Sequence, residues 1–372
     1  MTNKLAGIYI HIPFCRQACH YCNFHFTTSL RHKGELVTAI TKEVSLQQEY
    51  LSDEPVETIY FGGGTPSLLT VGELALILET IRTTFKTISS AEVTLETNPD
   101  DIDLQKLKQW KQAGINRLSI GVQSFFDKDL AWMNRAHTAG QAISSLRMAT
   151  GEFENITADL IYGIPGLSDE QWNENVHTLT GMGIPHLSCY ALTVEPKTPL
   201  DKLIRLHKKE AVDPDKQSSQ FLLLMDWMTK MGYEHYEISN FAKPGFRSRH
   251  NSSYWQGKAY LGLGPSAHSY NGSRRQWNTA NNSIYMNKIS EGILPFEKEE
   301  LTGIQQLNEY IMTSLRTIEG LDLSRFPMQR EEIMVKAGKY IDKGLMSKNG
   351  DSLTLAAEGK LLADGIAAAL FF

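Results

Sequence analysis

Short β-rich segments alternate with longer helical segments along the first half of the chain, and this alternation limits the fold more than any other feature. Six apolar segments have the composition of strands, at residues 7–12, 56–61, 92–96, 117–122, 157–162 and 186–192. Five segments between them have helical patterns, at residues 35–51, 72–85, 104–113, 140–150 and 169–182. Such alternation predicts parallel βαβ units that close toward a barrel.

The predicted fold class is therefore α/β, with a partial (β/α)6 barrel over residues 1–199. Residues 200–300 are expected to connect and cover the barrel, with a helix at 215–231, a strand at 233–241 and a Gly- and aromatic-rich loop at 243–264. From residue 301 the pattern predicts helices at 305–318, 323–326 and 330–343, then a hairpin at 345–355. Helices followed by a hairpin predict a mainly helical, winged-helix-like C-terminal module over residues 301–372, with a packing or partner-binding role.

Three of the four cysteines stand within eight residues, at Cys15, Cys19 and Cys22, in the spacing C-x3-C-x2-C. They follow the first predicted strand, and the chemistry of such barrels gathers at the carboxyl ends of the strands. An all-protein [4Fe–4S] cluster uses four cysteines, so three predict a cluster whose fourth iron stays open for S-adenosylmethionine (SAM). A zinc site completed by His20 is the alternative, since structural zinc needs four closed ligands and Cys189 is far away.

Charge and hydropathy exclude several classes of function. The formal net charge of −5 gives no electrostatic reason to expect nucleic-acid binding. No apolar segment reaches the roughly 20 residues needed to cross a bilayer, so any membrane contact is expected to be peripheral. Four cysteines and no recognisable signal peptide predict a reducing cytoplasmic location rather than a disulfide framework.

Polar side chains and glycines lie at the carboxyl ends of the later strands. Residues 62–64 are all glycine, which permits close backbone approach to a ligand, although a tight turn is the simpler explanation. Glu96 and Gln123 are poor helix caps, so a functional role is favoured for both. Asp159 lies within its strand, where a carboxylate needs a partner or a ligand. Arg135 fits a ligand contact and a solvated helix charge equally well.

Four segments, at residues 9–15, 62–66, 121–125 and 159–166, closely resemble the radical-SAM coproporphyrinogen dehydrogenase family, also called the oxygen-independent oxidases. The resemblance covers essentially the whole chain. It implies that the cluster-bound SAM is contacted by Tyr9, Tyr21, Gly63, Gly64, Thr65 and Glu96. The positions that line a second SAM in the dehydrogenase correspond to Gln123, Arg135, Asp159 and Ala191. His268 likewise matches a SAM-contacting position.

Two departures separate the chain from the dehydrogenase itself. That enzyme has a further cysteine two residues after the third ligand and a sizeable amino-terminal extension, whereas Phe24 stands here and the predicted barrel begins at once. Residues 250–255, HNSSYW, are similar to the HNxxYW signature of the HemW branch, whose members are regarded as heme chaperones. This resemblance implies binding of heme and its delivery to respiratory hemoproteins, and peripheral contact of the cytoplasmic chain with the inner face of the membrane is expected. Oxidative decarboxylation of coproporphyrinogen III is the alternative, and a partner-binding scaffold is a third.

The heme ligand is open at this point. His250 of the HNxxYW segment is a candidate, with Tyr254 and Trp255 covering the porphyrin. Alternatively, His250 and Asn251 fix a loop by hydrogen bonds while the aromatic side chains pack beneath it. Further histidines are available at His11, His25, His137 and His268.

Overall fold

The computed structural model describes residues 5–372, and the six predicted strands form one parallel sheet. They are β1 (Ala6–Ile12), β2 (Val56–Gly63), β3 (Thr87–Thr97), β4 (Arg117–Gln123), β5 (Ile156–Tyr162) and β6 (His186–Ala191). Neighbouring strands pair in chain order, with Tyr9 opposite Tyr60 and Thr94 opposite Arg117. Residues of all five strands from β2 to β6 line a common cavity, so the sheet is concave and the predicted partial barrel is confirmed.

Helices follow the strands and bury apolar side chains against the sheet. In this part of the chain they are α1 (Lys33–Leu46), α2 (Val71–Thr84), α3 (Leu104–Ala113), α4 (Asp127–Met133), α5 (Ala139–Glu152) and α6 (Asp169–Gly181). Three of them begin with capping boxes, in which Thr70, Thr138 and Ser168 each accept a hydrogen bond from the backbone N–H three residues later. These caps define where α2, α5 and α6 begin.

The sheet continues on both sides of the half barrel. The next elements are α7 (Pro199–Arg205), α8 (Pro214–Lys230), β7 (Glu234–Glu237), β8 (Asn240–Ala242), α9 (Arg249–Trp255), β9 (Tyr260–Leu263), β10 (His268–Tyr270), β11 (Arg274–Asn278), α10 (Asn282–Ser290) and β12 (Phe296–Glu300). The twelve strands run in the order β12-β11-β10-β9-β1-β2-β3-β4-β5-β6-β8-β7. β9 pairs with β1 in parallel, and the strands beyond it are antiparallel.

The two edges of this sheet differ. β12 forms one edge and exposes four consecutive charged side chains, Glu297, Lys298, Glu299 and Glu300. β7 forms the other edge, where Glu237 makes an isolated backbone bridge to Thr317 of the C-terminal part of the chain. One edge therefore faces solvent and the other is partly covered.

The C-terminal part has a hydrophobic core of its own, which includes Leu307, Ile311, Ile333, Leu353 and Ile366. Its elements are α11 (Gly303–Ser314), β13 (Leu321–Asp322), α12 (Arg330–Asp342), β14 (Met346–Asn349), β15 (Ser352–Leu355), α13 (Ala357–Lys360) and α14 (Ala363–Ala369). The strands form an antiparallel sheet in the order β13-β15-β14. The mainly helical module with a hairpin is present as predicted, and the domain divisions at residues 199 and 300 stay predictions.

The prediction of a loop over residues 243–264 was wrong, because this segment contains α9 and β9. Ser248 caps α9 by accepting a hydrogen bond from the Asn251 backbone N–H. β9 then joins the sheet beside β1, with Leu261 opposite Ile8. Both elements are short, and their apolar side chains show no clear period in the sequence.

Three other boundaries also differ from the prediction. The helix expected over 35–51 ends at Leu46, and the chain then turns through Ser52 at positive φ so that Leu51 is buried. The strand expected over 233–241 is the hairpin β7–β8, which reverses between Glu237 and Asn240. The helix expected over 323–326 is a single 3₁₀ turn, Leu323–Arg325.

A buried ion pair lies at the amino-terminal end of the half barrel. Arg117 is 1% exposed, and its Nε lies 3.9 Å from Glu92 Oε2 while its guanidinium donates to the Thr157 hydroxyl. Glu92 also accepts the backbone N–H groups of Arg249, at 3.2 Å, and His250, at 3.1 Å, which begin α9. A carboxylate at a helix amino terminus is stabilised by the helix dipole. The pair therefore attaches α9 to the barrel strands.

Within residues 5–372, none of the helices combines the length and the apolar character required to cross a bilayer.

Replacing Arg117 with Met should lower the free energy of unfolding by about 3 kcal/mol, because Glu92 would lose its buried cation and keep only the half-exposed Arg249. We expect the lower end of the range for broken buried pairs, since Arg249 Nε remains 3.8 Å from Glu92. Urea unfolding measures the change. Arg205→Met is the matched control, because Arg205 pairs with Asp201 on the surface and should cost at most about 1 kcal/mol. Equal losses in the two variants would contradict this role of the buried pair.

Candidate cluster and SAM site

The three motif cysteines lie on a loop whose two ends are joined. After β1, the Cys15 backbone N–H donates to Thr27 O at 3.0 Å, and the Thr27 N–H donates to Pro13 O at 2.8 Å. Cys15, Cys19 and Cys22 are partly buried free thiols on this loop. The strand end thus holds all three in one short, closed segment.

Two hydrogen-bond donors point at the cysteine sulfurs. Thr65 Oγ1 lies 3.6 Å from Cys15 Sγ, and Arg135 Nη1 lies 3.4 Å from Cys19 Sγ. Burial raises the pKa of the Cys15 thiol to about 11 and also raises the pKa of Cys22. Thiolates at these positions therefore need positive charge beside them, which cluster iron supplies. The donor set fits a [4Fe–4S] cluster, in which each cysteine binds its own iron.

The zinc alternative finds no support in this geometry. His20 lies outside the cavity that the cysteines line, and its Nδ1 is hydrogen-bonded to Trp132 O at 3.2 Å. Among the residues that the structure describes, no three His, Cys, Asp or Glu side chains are grouped to hold one metal ion.

The glycines after β2 hold the cysteine loop close to the strand. The Gly64 N–H donates to Ile12 O at 2.9 Å, and the Thr65 N–H donates to Phe14 O at 2.6 Å. A Cβ on Gly64 would lie 2.6 Å from Phe14 O, and Gly63 has φ +104° with the His11 ring directly against it. Only glycine fits such a backbone approach. The glycine run therefore positions the cysteine loop against β2.

Glu96 presents a carboxylate whose charge has no cationic partner. Its Oε1 accepts from the Tyr60 hydroxyl at 2.8 Å and its Oε2 accepts from the Gly63 N–H at 3.2 Å. Burial raises its pKa to about 7, the Tyr60 hydrogen bond opposes that rise, and the charge of Asp159 adds to it. Among the described residues, no Lys, Arg or His lies within salt-bridge distance of Glu96. An ammonium group such as that of SAM would complete this site.

The strand ends of β4 and β5 add further polar groups. Arg135 Nη2 donates to Asn98 Oδ1 and to Gly121 O, both at 2.7 Å. Gln123 has φ +70°, a left-handed conformation that is uncommon for a residue with a side chain and often marks a functional site. Burial raises the pKa of Asp159 to about 6, against the opposing charge of Arg117. These groups face the same space as Glu96.

The cysteines and most of the predicted SAM contacts line one cavity of about 440 Å³, which we call the cluster cavity. The predicted residues that line it are Cys15, Cys19, Tyr21, Cys22, Gly63, Gly64, Thr65, Glu96, Gln123, Arg135, Asp159 and Ala191. These residues are spread over 177 positions of the sequence, from Cys15 to Ala191. The arrangement of the strand ends brings them together in one cavity. SAM contact itself stays a prediction for each of them.

Tyr9 and His268 line a second cavity, of about 1120 Å³, which we call the side cavity. The side cavity lies between β1, α9 and β10 on one side and α11 on the other. Asn23 and Phe24, immediately after the last cluster cysteine, line both cavities. Phe24 is 65% exposed there. The cysteine loop therefore forms part of the wall of both spaces.

Two residues of the cluster cavity region were missed in the sequence. Asn98 links Arg135 to the cysteine side of the site, because its Nδ2 donates to Thr65 Oγ1 at 3.1 Å. Tyr60 orients Glu96. Asn98 directly follows the third strand, so its position at a strand end was a usable signal. Tyr60 lies within β2, and nothing in its surroundings in the sequence marks it as polar-facing.

His250 is fully enclosed by hydrogen bonds. Its Nδ1 is bonded to Thr58 Oγ1 and its Nε2 to the Tyr254 hydroxyl, both at 2.8 Å. The ring is 1% exposed and stacks on Tyr60 with centroids 4.9 Å apart. Because both ring nitrogens are occupied, this geometry favours the loop-fixing alternative over heme ligation. His137 is also buried, and its Nε2–H donates to Val122 O at 3.0 Å.

Comparison with known proteins first defines the class. The profile of the Radical SAM superfamily matches residues 9–179, which contain the three cysteines and the carboxyl ends of β1 to β5. Coproporphyrinogen III oxidase (HemN) from Escherichia coli, described as a radical SAM enzyme, has a TM-score of 0.85 to this chain at 22% identity. The similarity covers 99% of this chain and 90% of HemN and shows a shared fold. The chain is a radical SAM protein by sequence and by fold.

Relatives over the full length then give the family. The chain is 35% identical to heme chaperone HemW of Mycobacterium tuberculosis over 98% of this chain and 95% of that protein. It is 33% identical to heme chaperone HemW of Bacillus subtilis, over 97% and 98% respectively. The chain belongs to the HemW family.

Replacing His250 with Ala should lower the free energy of unfolding by about 3 kcal/mol, since the buried hydroxyls of Thr58 and Tyr254 would lose a partner and a cavity would form. Thermal or urea unfolding followed by circular dichroism measures the loss. His177→Ala, at an exposed position on α6, should change stability by at most about 0.5 kcal/mol. An unchanged stability of the His250 variant would contradict the loop-fixing role.

Proposed function

We propose that this protein is a heme chaperone that carries a [4Fe–4S] cluster and SAM and passes heme to respiratory hemoproteins at the membrane. The observation that carries this proposal is the similarity, over 95% or more of both chains, to proteins named heme chaperone HemW. Heme is the cargo in this proposal, and the cluster and SAM are resident cofactors.

Cys15, Cys19 and Cys22 would hold the cluster, with Thr65 and Arg135 donating hydrogen bonds to the sulfurs of Cys15 and Cys19. Bound cluster and SAM supply one-electron chemistry to proteins of this class. Such donors stabilise sulfur-centred negative charge and tune the reduction potential of a cluster.

Glu96 would bind the amino group of SAM, because its carboxylate is oriented by Tyr60 and Gly63 and lacks a cation. The N–H groups of Gly63 and Gly64 already donate to Glu96 Oε2 and Ile12 O, so these glycines would contribute to the SAM site through close backbone approach. Gln123, Arg135 and Asp159 face the remaining space of the cluster cavity.

Oxygen-independent coproporphyrinogen III oxidase is the second candidate function. It is favoured by Gln123, Arg135, Asp159 and Ala191, which match positions of the dehydrogenase and all face the cluster cavity. Phe24 stands against it, because the dehydrogenase has a cysteine at this position. A chaperone would release its heme chemically unchanged, whereas the oxidase would convert coproporphyrinogen III into a different product.

The test uses full-length protein reconstituted anaerobically with iron and sulfide. One sample receives heme, and another receives coproporphyrinogen III, SAM and a reductant. Retention of heme through gel filtration without formation of protoporphyrinogen supports the chaperone. Turnover to protoporphyrinogen overturns it in favour of the oxidase. Cys19→Ser is the control for the cluster, and it should lose most of its iron and sulfide.

SAM affinity should depend on pH through Glu96. Its pKa of about 7 is raised above the usual carboxyl value, so its negative charge is present at pH 8 and lost as the pH falls toward 6. The titratable groups that act on it are Tyr60 of β2 and Asp159 of β5, and Asp159 has a pKa of about 6. We expect SAM affinity to fall by up to about 10-fold between pH 8 and pH 6, because the ionised fraction of one carboxyl with a pKa of about 7 falls about 10-fold over this interval.

Equilibrium dialysis with labelled SAM on the reconstituted protein measures this dependence. Glu96→Gln is the matched variant, since it keeps the hydrogen-bonding shape and removes the charge. It should bind SAM weakly at pH 8 and show a nearly flat profile. A Glu96→Gln profile as steep as that of the unaltered protein would assign the pH dependence to another group.

A further inference from the structure

The side cavity is formed by three distant parts of the chain. Tyr9 and His11 of β1 and the loop residues Asn23 to His25 form one wall, the segment from Tyr254 to Gly272 forms the second, and residues 303–326 form the third. Its volume of about 1120 Å³ lies slightly above the usual range for small-molecule sites. The space is thus sized for a large ligand.

Aromatic side chains stand on two opposing sides of the side cavity. On the barrel side, Tyr254 and Tyr260 meet edge to face with centroids 4.6 Å apart, and Tyr270 follows at 6.3 Å from Tyr260. On the C-terminal side, Tyr310 and Phe326 lie 5.4 Å apart. Aromatic walls on both sides favour a broad, flat and largely apolar ligand.

Three histidines lie in the side cavity, and the structure distinguishes them. His11 has both nitrogens occupied, since its Nε2–H donates to His25 O at 2.9 Å and its Nδ1 bonds the Tyr9 hydroxyl at 3.2 Å. His25 has its Nε2 bonded to Asn282 Oδ1 at 2.7 Å. His268 makes no side-chain hydrogen bond to any residue from 5 to 372, is exposed to the cavity and stacks on Trp277 at 6.3 Å.

The ring of His268 is also held in the form that binds metals. Burial lowers its pKa, and the neighbouring charge of Arg275 lowers it further, so the imidazole is neutral near pH 7. A neutral imidazole nitrogen offers a lone pair to iron. His268 is therefore the histidine of the side cavity with both nitrogens available.

Arg325 supplies positive charge at the rim of the side cavity. Its guanidinium lies over the Tyr310 ring, 4.0 Å from the centroid, and no carboxylate among the described residues lies within 4 Å of it. Arg275 is different, because its guanidinium already forms ion pairs with Glu309 and Glu299. An exposed, uncommitted guanidinium fits a carboxylate of a ligand in bidentate fashion.

We propose that the side cavity is the heme site, with His268 as an axial ligand of the iron and Arg325 bound to a propionate. The ring of heme would then lie between the Tyr254–Tyr260 side and the Tyr310–Phe326 side. This assignment rests on the proposed chaperone function for the identity of the ligand. In this assignment heme lies outside the cluster cavity, and neither ring nitrogen of His250 binds its iron.

The test is heme titration of the purified full-length protein, followed by absorption spectroscopy. His268→Ala should shift the Soret band and weaken heme binding at least about 10-fold, and added imidazole should restore the band by replacing the lost ligand. Arg325→Gln should weaken binding about 10-fold with an unchanged band, since a charge-assisted pair is lost but the iron ligand stays. His177→Ala and Arg205→Gln, at exposed positions remote in sequence, are the matched controls.

Two further measurements keep the assignment separate from folding and from SAM binding. Thr313→Trp on α11 should project a bulky ring into the side cavity and weaken heme binding at least about 10-fold, while circular dichroism and SAM affinity stay unchanged. SAM affinity of His268→Ala should also be unchanged, because His268 lies outside the cluster cavity. Loss of SAM binding in that variant would overturn the assignment in favour of a SAM contact.

The outcomes separate the site from the function. If the unaltered protein binds no heme, the proposed function fails and the site fails with it. If it binds heme and both His268→Ala and Thr313→Trp bind equally well with an unchanged spectrum, the function stands and the site is wrong. Loss of the band in His25→Ala, with His268→Ala unaffected, would overturn His268 as the ligand.

Discussion

The buried pair of Glu92 and Arg117 is the interaction on which the architecture depends. Burying a carboxylate is costly unless its charge and its oxygens are matched. Here Arg117 supplies the charge, and the amino terminus of α9 supplies two N–H donors. The same helix ends in Tyr254 and Trp255, which line the side cavity. A single buried anion therefore links the interior of the half barrel to the wall of a second space.

The polar interior also explains how one sheet can hold two cavities. Inward-facing positions carry Thr58, Tyr60, Glu96 and Asp159 in place of the branched apolar side chains that fill a closed barrel. Hydrogen bonds satisfy these groups at the amino-terminal end, where His250 joins Thr58 to Tyr254. Toward the carboxyl end, Glu96 retains an unmatched charge. At the amino-terminal end of the strands the interior polar groups thus form a complete hydrogen-bond network, and toward the carboxyl end they form a site that can accept a ligand.

Much of the fold and the cysteine loop followed from local patterns in the sequence, whereas most other residues of the cluster cavity followed from the family resemblance and from their positions at strand ends. The strands are recognisable as alternating or continuous apolar segments. Cys15, Cys19 and Cys22 are close in space in any conformation of their loop, because all three lie within eight residues. The function of His250 did not follow, since its partners Thr58 and Tyr60 are about 190 residues away in the chain. α9 was missed because seven residues are too few for a helical period to be recognised. The side cavity needs three remote segments, so no single stretch of sequence indicates it.

A half barrel, unlike a closed one, leaves a sheet with free edges, and unpaired edge strands can add strands from other molecules. In this protein the β7 edge is capped by the bridge from Glu237 to Thr317. The β12 edge carries Glu297, Lys298, Glu299 and Glu300, all exposed. Three of these four side chains are acidic, so the edge is net negative and repels the same edge of a second copy. The half barrel is therefore open at its cavities, while both edges of its sheet are protected against the aggregation to which open sheets are prone.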